Sequence, residues 1–95
     1  MEQYKVKRRF KRIPCDDPLD FTVLHMEVSE FRRVRSEGKM IDKSEGGIGV
    51  ITSFPLQPGH VLEWHDKYQK GHLHIGLVKW ALKQDDKIRA GLALI

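Results

Sequence analysis

Gly46-Gly47, Pro55-Leu56-Gln57-Pro58-Gly59, Gln69-Lys70-Gly71 and Gln84-Asp85-Asp86-Lys87 cut the second half of this chain into short pieces. That punctuation constrains the fold more than any other feature. Glycine reaches backbone conformations other residues resist and proline presets a turn, so each cluster marks a reversal. The pieces between are apolar and rich in β-branched residues: Ile48-Gly49-Val50-Ile51-Thr52, then Val61-Leu62-Glu63-Trp64, then Leu73 to Leu82, then Ile88 to Leu94. In the third, Leu73, Ile75 and Leu77 alternate on one face before the apolar set slips by one to Val78, Trp80 and Leu82. Such a slip predicts a bulge or sharp bend near Gly76, where one long strand turns a corner. In the last piece Ile88, Ala90, Leu92 and Leu94 alternate as a half-buried strand does.

The first half is less decided. Pro14 and Pro18 bracket Cys15-Asp16-Asp17, which suits an extended, turning lead-in. Phe21 to Val28 reads as a strand by composition, yet Leu24, Val28 and Phe31 also fit a helical stripe, and no Gly or Pro interrupts before Gly38. Periodicity alone leaves residues 21–37 open between strands and helix. With about six strands in 95 residues, the chain has the length of one domain and the pattern of a sandwich or closed barrel. Closure removes the unpaired edges that a small open sheet would expose.

Several classes are excluded early. No apolar run approaches the roughly 20 residues of a membrane helix, and Met1-Glu2-Gln3-Tyr4-Lys5 is no signal peptide, so a cytoplasmic protein without membrane insertion is expected. Cys15 is the only cysteine, which leaves no internal disulfide and no cysteine cluster for zinc. His60, His65, His72 and His74 lie on neighbouring strand segments, but no carboxylate or cysteine spacing supports a metal site on them. Trp64 and Trp80 read first as packing residues of the core or barrel end, with stacking on a flat ligand as their second reading. No Ser-His-Asp order, paired carboxylates or Gly-rich phosphate loop is present, so no enzyme is expected.

Charge then points to a ligand. Lys5, Lys7, Arg8, Arg9, Lys11 and Arg12 place six cations in eight positions, and this arm favours an anionic partner. Within it, Arg8 to Arg12 forms R-x-x-x-R, a pattern that chance would supply roughly 0.5 times in a chain of this composition. Asp42-Lys43-Ser44-Glu45-Gly46-Gly47 forms D-x-S-x-x-G, for which the chance figure is only about 0.02. In this order and spacing, ahead of a strand-rich chain, the pair resembles the signature of the PilZ domain, a small bacterial barrel that binds cyclic di-GMP.

The resemblance covers essentially the whole chain and decides residues 21–37 for two strands, with Phe31 to Arg35 in the second. It implies an all-β fold: a closed antiparallel six-stranded barrel of split-barrel type, with a flexible basic arm at residues 1–14, the barrel at 19–95, and little or no C-terminal helix. By resemblance, the ligand positions are Arg8, Arg12, Asp42, Ser44 and Gly47, with Arg9 as a helper and no metal or other cofactor. Arginine can fork onto a phosphate or a guanine edge and can stack on a purine. An ionised Asp42 accepts from a guanine edge or orients an arginine, Ser44 offers a hydroxyl, and Gly47 supplies either a positive φ or a close backbone approach. The arm is then expected to close over the Asp42–Gly47 turn only with ligand present, and the change to be read by a downstream partner protein or by a second copy in a homodimer. Two rivals remain: a PilZ-like module that works by protein contact without nucleotide, and a nucleic-acid-binding barrel of OB type. The few aromatics and the concentration of charge in the arm argue against nucleic acid as a partner.

Overall fold

The computed structural model describes residues 11–95, and Arg8 and Arg9 lie outside them. Six strands follow in chain order: β1 (Ile13–Glu27), β2 (Glu30–Lys43), β3 (Gly47–Thr52), β4 (Val61–His65), β5 (Leu73–Gln84) and β6 (Lys87–Leu94). All pairings are antiparallel, and the order β1-β2-β3-β6-β5-β4 closes on itself where β4 meets β1. The expected closed all-β barrel is therefore the observed fold, with no helix among the described residues.

Alternation fills the barrel. Phe21 and Val23 of β1, Ile48 and Val50 of β3, Leu62 and Trp64 of β4, Val78 of β5, and Ala90 and Leu92 of β6 are buried together. Leu56, from the loop after β3, joins the same cluster. Each full burial of an aliphatic side chain contributes about 1.5–3 kcal/mol, and a domain this small depends on such a core. The buried hydroxyl of Thr52 is satisfied twice: Oγ1 donates to the Glu37 carbonyl at 2.7 Å and accepts the Phe54 N–H at 3.1 Å.

Residues 21–37 are two strands, and both are longer than expected. The first begins at Ile13, so Ile13 and Pro14, assigned by sequence to the arm, pair with Lys43 and Asp42. Prolines are tolerated there because β4 pairs only with Thr22–Leu24, leaving the other edge of this stretch without a strand that needs their missing N–H. A bulge between Pro14 and Asp17 absorbs the irregularity. The bulge expected near Gly76 falls three residues later: Val78 opposes Leu92 and Trp80 opposes Gly91, leaving Lys79 as the extra residue. Consequently Trp64 is a core residue, 5% exposed, but Trp80 stands on the outer wall, 40% exposed.

Two tight turns differ in their chemistry. Asp85, at φ 56°, closes the β5–β6 hairpin with a residue type that tolerates the left-handed region. Val28, at φ 58°, closes the β1–β2 hairpin with a β-branched residue that does not. Val28→Gly is expected to raise stability by about 0.5–1 kcal/mol, since the left-handed cost it relieves exceeds the added freedom of the unfolded chain. Urea unfolding checks this, and a loss of stability would contradict strain at Val28.

Candidate functional site

The register of the barrel draws one line across five strands: Pro14, Asp42, Gly49, Gly91, Trp80. Their neighbours Val50, Ala90 and Leu92 point into the core, so alternation sends this row to the outer wall. Two glycines at its centre leave bare backbone between a carboxylate and an indole. A Cβ on Gly49 would sit 2.8 Å from Asp42 Oδ1, and one on Gly91 would meet the indole of Trp80. The two side chains thus lean inward over a glycine floor. Sequence reasoning does not single out Gly49 as a ligand position, offers Trp80 only as a second-choice stacking residue alongside Trp64, and leaves Gly91 as a generic strand glycine. Without the register, nothing connects Asp42 to a tryptophan 38 positions later.

Arg12 enters the row from its other end. Its Nη1 donates to Asp42 Oδ1, joining residues thirty positions apart. The pairing of Ile13 with Lys43 puts the end of the arm beside this carboxylate. The two side chains are 35% and 18% exposed, so the pair is partly shielded from solvent screening. Arg12 thus meets the Asp42–Gly47 turn directly, because β1 starts early enough to hold it there. Arg8 and Arg9 remain outside the described residues.

Ser44 and Gly47 shape the turn that presents Asp42. The Ser44 N–H donates to the Gly47 carbonyl at 2.9 Å, and Ser44 Oγ reaches the same oxygen at 3.4 Å, a long bond that leaves the hydroxyl free to turn elsewhere. Of the two roles expected for Gly47, only the close approach is observed. Its φ is not positive, and a Cβ there would collide with the Leu92 carbonyl of the neighbouring strand. Gly47 keeps β3 against β6, whereas Gly49 keeps the wall open. Arg89 also belongs to this surface: two residues from Gly91 on the same face of β6, its Cα lies about 7 Å away.

The arrangement can do specific chemistry. A forked cation and a carboxylate sit at one end, and a half-exposed indole face at the other. A flat, anionic molecule with hydrogen-bond donors on its edge would find a complement for each of its parts.

A second concavity of about 610 Å³ opens at the barrel mouth, walled by Leu19, Ile48, Trp64 and Leu94, with Ser44 at its rim. The β4–β5 loop beside it is built on Asp66. Oδ1 accepts the N–H of Tyr68 at 2.7 Å and of Gln69 at 2.9 Å, while Oδ2 lies 2.9 Å from Nε2 of His74, whose ring stacks on Trp64. These bonds, that to His74 foremost, favour the charged carboxylate and lower its pKa from 3.8 to about 2. Their contribution to the loop is therefore present above pH 3.8 and lost as pH falls through about 2. The amide resonances of Tyr68 and Gln69 should titrate with a midpoint near 2; a midpoint near 3.8 would show that Asp66 does not hold the loop.

No family model matches the chain, and no curated protein matches it. Among solved structures it is similar to the inhibitor of motility of Bacillus subtilis, with a TM-score of 0.58 and 18% identity. The match covers 95% of this chain and 43% of that one, so the chain spans less than half the length of that protein. At this identity the likeness is one of fold, and it extends over nearly the whole barrel.

Proposed function

We propose that this protein is a receptor for cyclic di-GMP rather than a catalyst, and that the nucleotide lies on the outer wall along the row from Arg12 and Asp42 to Trp80. In this reading one guanine stacks on the Trp80 indole over Gly91 and Gly49. The free guanidinium N–H groups of Arg12 bind a phosphate, and Asp42 holds that guanidinium in place. Ser44 turns its hydroxyl to the ligand, and Arg9 and Arg8 add cations from the arm. Arg89 faces the same surface and supplies a further positive charge.

One observation carries the reading: Arg12 and Asp42, each from a different half of the sequence signature, are in contact. The pairing matters because the two motifs resemble those of PilZ domains, whose ligand the resemblance supplies. The likeness of fold to an inhibitor of motility suits a control protein, and we propose a cytoplasmic adaptor whose bound state is read by a separate protein. A second reading, a protein-contact module without nucleotide, is favoured by the exposed Met26 and Phe31 on the β1–β2 hairpin. Isothermal titration with cyclic di-GMP, GTP and a single-stranded oligonucleotide separates these readings. Binding to cyclic di-GMP alone supports the receptor. Equal or tighter binding to the oligonucleotide would favour a nucleic-acid barrel, and binding to none would favour protein contact.

A further inference from the structure

The β1–β2 hairpin runs past the barrel. It pairs down to Glu27 opposite Glu30, while β4 reaches only Thr22–Leu24 and β3 only as far as Gly38. Among the described residues, the stretch Glu30–Glu37 of β2 therefore has one edge with no strand against it. Its inner end is closed by Thr52 Oγ1, which donates to the Glu37 carbonyl. Backbone groups alternate in direction along a strand, so Phe31, Arg33 and Arg35 also turn their N–H and C=O toward this edge. Open edges are commonly guarded by charge, and Arg32, Arg33 and Arg35 could serve that purpose. Phe31 does not fit a guard. It is 68% exposed and lies opposite Met26, 67% exposed, so two large apolar side chains face solvent together.

The charges beside Phe31 are also incomplete. Glu27 and Glu30 oppose each other, and one arginine serves them: Arg32 Nε contacts Glu27 Oε1 at 3.0 Å. Glu30 is in none of the ion pairs among the described residues. Among the described residues, the outer N–H groups of Arg32 have no partner.

We propose that two copies of this chain join along this edge, β2 against β2 and antiparallel, about a two-fold axis at Phe31. The self-complementarity of the edge selects that register. With the axis at Phe31, Glu30 of each copy faces Arg32 of the other, the two Phe31 residues exchange backbone hydrogen bonds, and Met26 packs beside them. Moving the axis to residue 32, 33 or 35 sets an arginine against itself. Moving it to 34 sets Arg33 against Arg35 twice, and moving it to 36 runs the facing strand into Gly38, which β3 already holds. Only the register at Phe31 joins opposite charges and covers the exposed apolar pair. The site for the nucleotide lies at the other end of β2, so this association does not depend on it.

Sedimentation velocity of the full chain without nucleotide tests the proposal. The mass should rise with concentration from 11.1 kDa toward twice that value. Glu30→Arg and Arg32→Glu should each weaken association at least tenfold, because each places like charges face to face, and the double exchange should restore it. Phe31→Ser should abolish it with the circular dichroism of the barrel unchanged. A mass of 11.1 kDa at every concentration would overturn the proposal. So would association indifferent to Glu30→Arg, failure of the double exchange, or a monomer whose Met26 and Phe31 instead bind phosphatidylglycerol vesicles.

Discussion

Alanine at Arg12 or at Asp42 is expected to weaken cyclic di-GMP binding by about 2–4 kcal/mol, roughly 30- to 1000-fold, as when one member of a charge-assisted contact is removed. Because the two side chains touch, they should act as a unit. Once Asp42 is gone Arg12 loses its orientation, and once Arg12 is gone Asp42 is an unpaired carboxylate facing a phosphate. The double variant should therefore cost clearly less than the two single losses together. Titration calorimetry on the four proteins of the cycle measures this. Additive losses would mean that the residues contact the ligand independently. The comparison needs a control away from the wall. Arg89 looks suitable by sequence, being outside both motifs, but its place two residues from Gly91 disqualifies it. Arg33, bound to Glu63 at 3.0 Å on the β1–β2 hairpin, is the better choice, and Arg33→Ala should leave binding unchanged.

The second large effect is expected at Gly49. Valine there fills the floor of the row and displaces the carboxylate of Asp42, whose oxygen lies 2.8 Å from where the new Cβ would sit. That neighbour is the mobile end of a side chain, and a β-branched residue suits a strand, so the barrel should tolerate the change. Binding should fall by about 100-fold or more, equivalent to roughly 3 kcal/mol, with the melting temperature nearly unchanged. Gly47→Val should behave in the opposite way. Its Cβ meets a backbone carbonyl of β6, which cannot rotate aside, so stability itself should fall. If both variants unfolded together, the division into an open floor and a structural contact would be wrong.

These contrasts show where the sequence is informative. The four later strands were legible because glycine and proline clusters separate them and their apolar residues alternate. The slip between Leu77 and Val78 announced a bulge, although periodicity could not say which residue would be extruded, and the structure extrudes Lys79. The first two strands were misjudged in length, since Pro14 and Pro18 signal a turn in isolation and only the absence of a strand beside them makes them acceptable in β1. The site was half legible. D-x-S-x-x-G located the turn and Arg12 its cation. The floor of Gly49 and Gly91, the indole of Trp80 and the proximity of Arg89 come from cross-strand register, which joins residues far apart in the chain and leaves no local trace.

The central claim is that the nucleotide lies on the outer wall between Asp42 and Trp80, and amide and indole NMR spectra recorded during a cyclic di-GMP titration test it most directly. The largest changes should fall on Arg12, Asp42, Gly49, Gly91 and the indole N–H of Trp80, with Leu19, Trp64 and His74 little affected. Changes concentrated instead at the barrel mouth, around Leu19, Trp64 and His74, or a Trp80 indole that does not respond at all, would contradict it.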